Sequence, residues 1–356
     1  MHGHGVLKPQ ENAVLGQAMR FLYFFPGVPV FFTVSGFLIY WAYERNAGDV
    51  RGFFKNRALR IYPGLWVSFA ITIILLSLFQ QLTFATLDRT DFWGWVARQV
   101  SFFQFGTPEI FRHWGDGQVN RSLWTISVEL QFYFLLPLIY GFLRWFGTRW
   151  AIGWAILFCG SIGVFALQSQ VPKGNIVGDI RDLCVTTYLF NFLFGIAFYR
   201  LWDRLRFLVE GRFLYWLAAY FLYLFVCGRA LGWYHTWPYS PNPSRIVGYL
   251  LLSMLTLSLA FSFSSFSERF IKGFDISYGV YIYHGLVLNC FIAFGWMYRS
   301  EFVFLLLAVS YALGGLSWVL VEKPILGLKN RASNAVPRND VRLEFNVVAP
   351  QGSVAK

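Results

Sequence analysis

Residues 122–140 read SLWTISVELQFYFLLPLIY, an apolar run broken by one formal charge, Glu129. At 1.5 Å per residue, a helix needs about 20 such residues to cross the roughly 30 Å hydrocarbon layer of a bilayer. Carried on through Leu143, the run reaches that length and reads as a membrane-spanning helix. Outward from it the pattern recurs, and spans are expected near 21–42, 61–81, 122–143, 150–168, 184–199, 213–228, 246–265, 276–297 and 302–321.

Composition points the same way. The 356 residues are 56% hydrophobic and only 13% charged, against roughly 25% charged in an ordinary soluble chain. A water-soluble fold of this length would lack its charged shell. The expected fold class is an all-α polytopic membrane protein, a bundle of about nine transmembrane helices. Residues 1–330 are expected to form one membrane-embedded domain and residues 331–356 a disordered polar tail.

The net charge of +12 does not indicate nucleic acid, because the basic residues sit in short clusters between the apolar runs. Such clusters are topology signals. Segments alternate, with a net +10 on one side of the expected membrane and +3 on the other. The positive-inside rule then puts the C-terminus in the cytoplasm of a multi-pass protein of the cell's inner (plasma) membrane. Cys159, Cys184, Cys227 and Cys290 fall in apolar runs without paired spacing, so neither a disulfide framework nor a metal site is expected.

Polar groups inside spans need a reason in hydrocarbon. Glu129 stands about 10 Å from the start of its span, on the outer side by this topology. Thr125, Glu129 and Tyr133 recur at i, i+4 and i+8, on one helix face. A carboxylate there either ties helices together or belongs to a site, and the polar face favours a site. His284, in DISYGVYIYHGLVL, shares a face with Ser277 and Tyr281, and structural and functional roles are both open to it. In FFKNRALRIYPGLW, Lys55, Arg57 and Arg60 lie close together just before a span. They read as lipid anchors or as a docking site for a phosphorylated substrate, since guanidinium matches phosphate oxygens. Pro63 suits a helix start, where its missing N–H costs nothing. Ser35 and Gly36, in FFTVSGFLIYW, allow close helix approach.

Five blocks together resemble acyltransferase family 3, integral membrane proteins that O-acylate bacterial surface glycans. They are a His followed by FFTVSGFLI (31–39), FFKNRALRIYP (53–63), LWTISVELQFYFLLP (123–137), SYGVYIYHG (277–285) and VEKP (321–324), in family order over nearly the whole chain. The resemblance implies ten spans, the first bearing an Arg ten residues before the His, and this sequence begins too late to hold that Arg. A missing or truncated first span is therefore expected. The family's His would be His2 or His4.

The resemblance implies transfer of an acyl group, acetyl by preference, from acyl-CoA to a hydroxyl of a cell-surface sugar or glycan, with no bound cofactor. His2 or His4 is assigned as general base, with Glu129 orienting the imidazole, and Glu129 as the direct base is the alternative. Lys55, Arg57, Arg60 and Tyr62 are assigned to the acetyl-CoA donor. Ser35, Trp124, Thr125, Tyr133, Tyr281 and His284 form a polar stripe for substrate or structure. Partners are the lipid bilayer, acyl-CoA and a glycan acceptor; the aromatic stretch 229–245 (Trp233, Trp237) reads either as a contact for that acceptor or as an interfacial aromatic belt. With donor inside and base outside, the pantetheine arm must thread the bundle or the acyl group must be relayed. The rival readings are a proton-coupled transporter, since intramembrane Glu and His also mark proton relays, and a non-catalytic truncated family member.

Overall fold

A computed structural model describes residues 24–46, 48–170, 181, 183–227, 244–263, 274–296 and 301–327. His2, His4, residues 229–243 and the tail 331–356 lie outside the described residues. Among the described residues the chain is helical and contains no strand.

We number the principal helices α1 (Gly27–Arg45), α2 (Val50–Leu78), α3 (Thr90–Val100), α4 (Trp124–Trp145), α5 (Trp150–Ser169), α6 (Leu189–Arg200), α7 (Phe213–Phe225), α8 (Ser244–Ser262), α9 (Ser277–Ala293) and α10 (Glu301–Ser317). Each of the nine expected spans overlaps one of these helices. Four stretches are long and apolar enough to cross a membrane alone: Val50–Leu78, Arg121–Trp145, Gly147–Gln168 and Phe302–Gly327. A fifth results if Trp202–Leu208 and Phe213–Phe225, bent by 75°, count as one span. The expected count of nine thus stands at four to five full-length spans plus shorter apolar helices among the described residues. Large apolar side chains such as Leu138, Leu167, Phe304 and Leu320 are exposed on the outside, as they are when the neighbouring solvent is lipid.

Glycine sets the closest helix contacts. A Cβ on Gly36 would stand 2.1 Å from the Phe192 carbonyl oxygen, and one on Gly195 would stand 2.0 Å from that of Thr33. The pair draws α1 and α6 backbone to backbone, as the Ser35–Gly36 reading anticipates. Gly279 and Gly314 do the same for α9 and α10. Around these contacts a shared core forms from Phe32 and Tyr40 of α1, Leu65 of α2, Phe132 and Leu136 of α4, Phe192 of α6 and Ile282 of α9. Phe132 and Phe192 stack at 4.2 Å.

Two expectations change. The basic stretch 53–60 is not a loop before a span, because α2 already begins at Val50, where the Asp49 side chain accepts the Gly52 N–H at 3.0 Å. Pro63 therefore lies inside α2. Two residues before it, the Ile61 carbonyl accepts the Tyr278 hydroxyl of α9 at 2.7 Å, which ties the two helices together.

Residues 82–121, expected outside the membrane, fold back along α2. Trp95 of α3 meets Phe69 at 5.3 Å, the Trp66 indole donates to the Val100 carbonyl at 3.1 Å, and Phe102 reaches Tyr62 at 6.2 Å. From Leu78 back to Tyr62 is about 24 Å along the helix axis. The cause is apolarity on one face, since Phe92 and Trp95 are buried while Asp91 and Arg98 flank them.

The chain then turns into α4 in the middle of the bundle. Asn120 donates to the Ile282 carbonyl at 2.9 Å, and the Tyr281 hydroxyl donates to the Ser122 carbonyl at 2.9 Å. Gly285 leaves the room for this, because a Cβ there would stand 2.6 Å from Asn120 Oδ1. Ile282 and Gly285 are near the centre of α9, so the start of α4 packs against the middle of that helix.

Candidate active site

Glu129, about 10 Å further along α4 than Ser122, lies toward the Val50 end of α2, near the basic turn that carries Arg57 and Arg60. Its Oε1 accepts the Tyr133 hydroxyl one turn on. Tyr133 in turn lies under the Arg57 guanidinium, 5.9 Å from the ring centre, and 5.8 Å from the Phe53 ring. Arg57 and Arg60 both act electrostatically on the Glu129 carboxylate. The acid and the basic motif, 69 and 72 positions apart in sequence (129 − 60 and 129 − 57), therefore form one cluster.

The three cations do not act alike. Lys55 is exposed, and two residues of helix place it about 200° around α2 from Arg57. Arg57 is held between the Phe53 and Tyr133 rings, each 5.9 Å from its guanidinium carbon, and its Nε is buried without a hydrogen-bond partner. Arg60 is committed to carboxylates, with Nη2 2.5 Å from Asp275 and Nη1 3.2 Å from Glu322. Tyr62 packs on Trp66 at 5.5 Å and on Phe102, away from both arginines' partners.

Above Glu129 the polar stripe is assembled from two helices. Thr125 of α4 hydrogen-bonds the Tyr281 hydroxyl of α9, so the two faces read separately in the sequence meet here. His284 Nδ1 lies 2.6 Å from the Tyr281 carbonyl oxygen. That oxygen only accepts, so Nδ1 carries the proton and the neutral ring keeps its lone pair on Nε2. Phe31 of α1 stacks on Tyr281 at 6.1 Å with a 2° tilt, and Trp124 meets Tyr188 at 6.0 Å. Ser35 is buried on α1 beside the α6 contact. The other two proposed site residues, His2 and His4, are outside the described residues.

Sequence reading did not include Asp275 and Glu322 in the site. Glu322 had a signal, as the first acid after the α10 apolar run and the acid of VEKP. A π-helix at Trp318–Glu322 turns both its ends toward Arg60, whose guanidinium carbon is 5.9 Å from the Trp318 ring. Among the described residues no group of three His, Cys, Asp or Glu side chains could hold a metal.

Comparison with known proteins finds similarity along most of the chain. Nodulation protein 10 of Rhizobium leguminosarum bv. viciae is 26% identical over 312 residues, covering 85% of this chain and 83% of that protein. An O-acetyl transferase of Shigella phage Sf6 is 26% identical over 337 residues, covering 90% and 92%. O-acetyltransferase OatA of Staphylococcus aureus (strain NCTC 8325 / PS 47) is 26% identical over 132 residues, 33% of this chain and 20% of its own length. No solved structure matches. The family model described as an acyltransferase domain matches residues 2–321, and the chain belongs to that family, acyltransferase family 3, as an acyltransferase enzyme.

Proposed function

We propose that this membrane acyltransferase moves an acyl group, acetyl by preference, from acyl-CoA to a hydroxyl of a cell-surface sugar or glycan. The observation that carries this reading is the Arg57–Tyr133–Glu129 chain of contacts. It sets a carboxylate beside Arg57, a half-buried cation whose buried Nε lacks a hydrogen-bond partner. A donor with anionic phosphates and a thioester calls for this pairing of phosphate-binding cation and acid–base group.

In the step itself, the acceptor hydroxyl oxygen attacks the thioester carbonyl, a C–O bond forms, and the C–S bond breaks. The hydroxyl proton passes to a base and CoA departs as its thiol after protonation. His2 or His4 remains the proposed base, and for Glu129 to orient the imidazole and stabilise its cation the segment before α1 must carry it from the outer side to the level of Arg57. Because Glu129 and Arg57 share a depth, the donor need not cross the whole bundle to reach the carboxylate. The proposed setting is the inner membrane, with the C-terminus and the Val50 end of α2 facing the cytoplasm.

Purified full-length chain in proteoliposomes, supplied with radiolabelled acetyl-CoA and glycan acceptor, tests the reading. Alkali-labile label on the sugar supports it. Proton flux without ester formation would favour a transporter instead.

A further inference from the structure

The two carboxylates on Arg60 have unequal standing. Glu322 is 2% exposed, receives Nη1, and takes the Ser317 hydroxyl on its other oxygen at 3.1 Å. Parting it from Arg60 would leave a buried charge short of its counter-ion. Asp275 is 52% exposed, and its released carboxylate would return to water. Its Oδ1 would still accept the Ser277 hydroxyl, now at 2.6 Å, at the start of α9. One contact is therefore fixed and the other is exchangeable.

We infer that Asp275 occupies the place on Arg60 that an anionic group of the donor takes, while Glu322 is a positioning residue that aims the guanidinium. The inference rests on the reading that donor phosphates dock at the basic end of α2. A phosphate oxygen can meet Nη2 as the Asp275 oxygen does. The Tyr278 and Trp318 rings, 5.6 and 5.9 Å from the guanidinium carbon, limit its turning, so an anion that takes the outward Nη2 edge displaces Asp275. Arg57, three residues earlier on the same helix, has a buried Nε awaiting an acceptor. Donor affinity is then a competition between substrate phosphate and the protein's own aspartate.

Calorimetric titration of coenzyme A into the full-length chain in nanodiscs tests this. Asp275→Asn removes the charge and keeps an oxygen for Ser277. It should bind coenzyme A about two- to fivefold more tightly than wild type, the range of an exposed ion pair. Its KM for acyl donor should fall by the same factor, and Asp275→Glu, which keeps the charge, should not tighten binding. Unchanged or weaker binding in Asp275→Asn, with binding lost in Arg57→Ala, would overturn the competition and leave the donor reading standing. So would equal tightening in Asp275→Glu, because charge would not be its cause. A wild type that does not bind coenzyme A, or binds it as well as Arg57→Ala does, would overturn the donor reading and this inference together.

Discussion

Arg60 and Glu322 stand 262 positions apart in the chain and meet at 3.2 Å, joining α2 to the π-helical turn after α10. Glu322 is 2% exposed and Arg60 22%, so the pair is largely withdrawn from solvent screening. Glu322→Gln should lower stability by about 1–3 kcal/mol, less than for a fully buried pair because Arg60 keeps Asp275. Replacing both residues together, as Arg60→Met with Glu322→Leu, should cost less than the two single changes added. Thermal unfolding in detergent measures the cycle, and strict additivity would show that the contact is not energetically coupled.

The contact between α1 and α6 predicts a sharper effect from a smaller change. Gly195→Ala puts a methyl group where the Thr33 carbonyl oxygen would be 2.0 Å away. Backbone cannot rotate aside as a side chain can, so the helices must separate, at a cost of about 1–3 kcal/mol or more. Gly160→Ala, in α5 with nothing within 4 Å of the added atom, should instead be neutral or stabilising by about 0.5–1 kcal/mol. Equal thermal shifts in the two variants would contradict the close packing.

How much of this was legible depended on range. Helical class, the positions of the nine apolar stretches and the Ser35–Gly36 contact followed from local pattern, because lipid demands long apolar runs and glycine alone permits backbone contact. The surroundings of Glu129 did not follow. Counting along its own helix from Ser122 says nothing of its neighbours on α2, which depend on residues 90–104 folding back along that helix. Amphipathic α3 held the clue, with Phe92 and Trp95 on the buried face. The division among Lys55, Arg57 and Arg60 needed tertiary partners, because helix angle alone cannot say that Asp275 and Glu322 await one arginine.

Donor binding should separate these cations. Arg57→Ala should raise the donor KM by about tenfold or more, the scale of a lost charge-assisted hydrogen bond. Arg57→Lys should rescue it only in part, since an ammonium cannot present the fork. Lys55→Ala should change the KM by less than about threefold, because Lys55 is exposed on another side of α2. Initial-rate measurements over a range of acyl-CoA concentrations provide the comparison. Equal effects at Lys55 and Arg57 would indicate a diffuse basic surface in place of a site.

Glu129 is the remaining test, because its position now makes a structural role and a chemical role separable. It accepts a hydrogen bond from the Tyr133 hydroxyl, and both the carboxylate and a glutamine amide oxygen can do so. Glu129→Gln keeps shape and acceptor while removing charge, which should ease insertion because ionised side chains are costly in spans. Expression and thermal stability should therefore stay near wild type. Acyl transfer should fall by about 10²–10⁴-fold, the usual contribution of an acid–base group, because an amide can neither take a proton nor stabilise an imidazolium. Tyr133→Phe leaves the carboxylate in place without its donor, and should lose activity by a smaller factor, about tenfold for one hydrogen bond to a charged group. Transfer retained in Glu129→Gln would confine Glu129 to helix packing and return the search for the catalytic acid–base group to His2, His4 and His284.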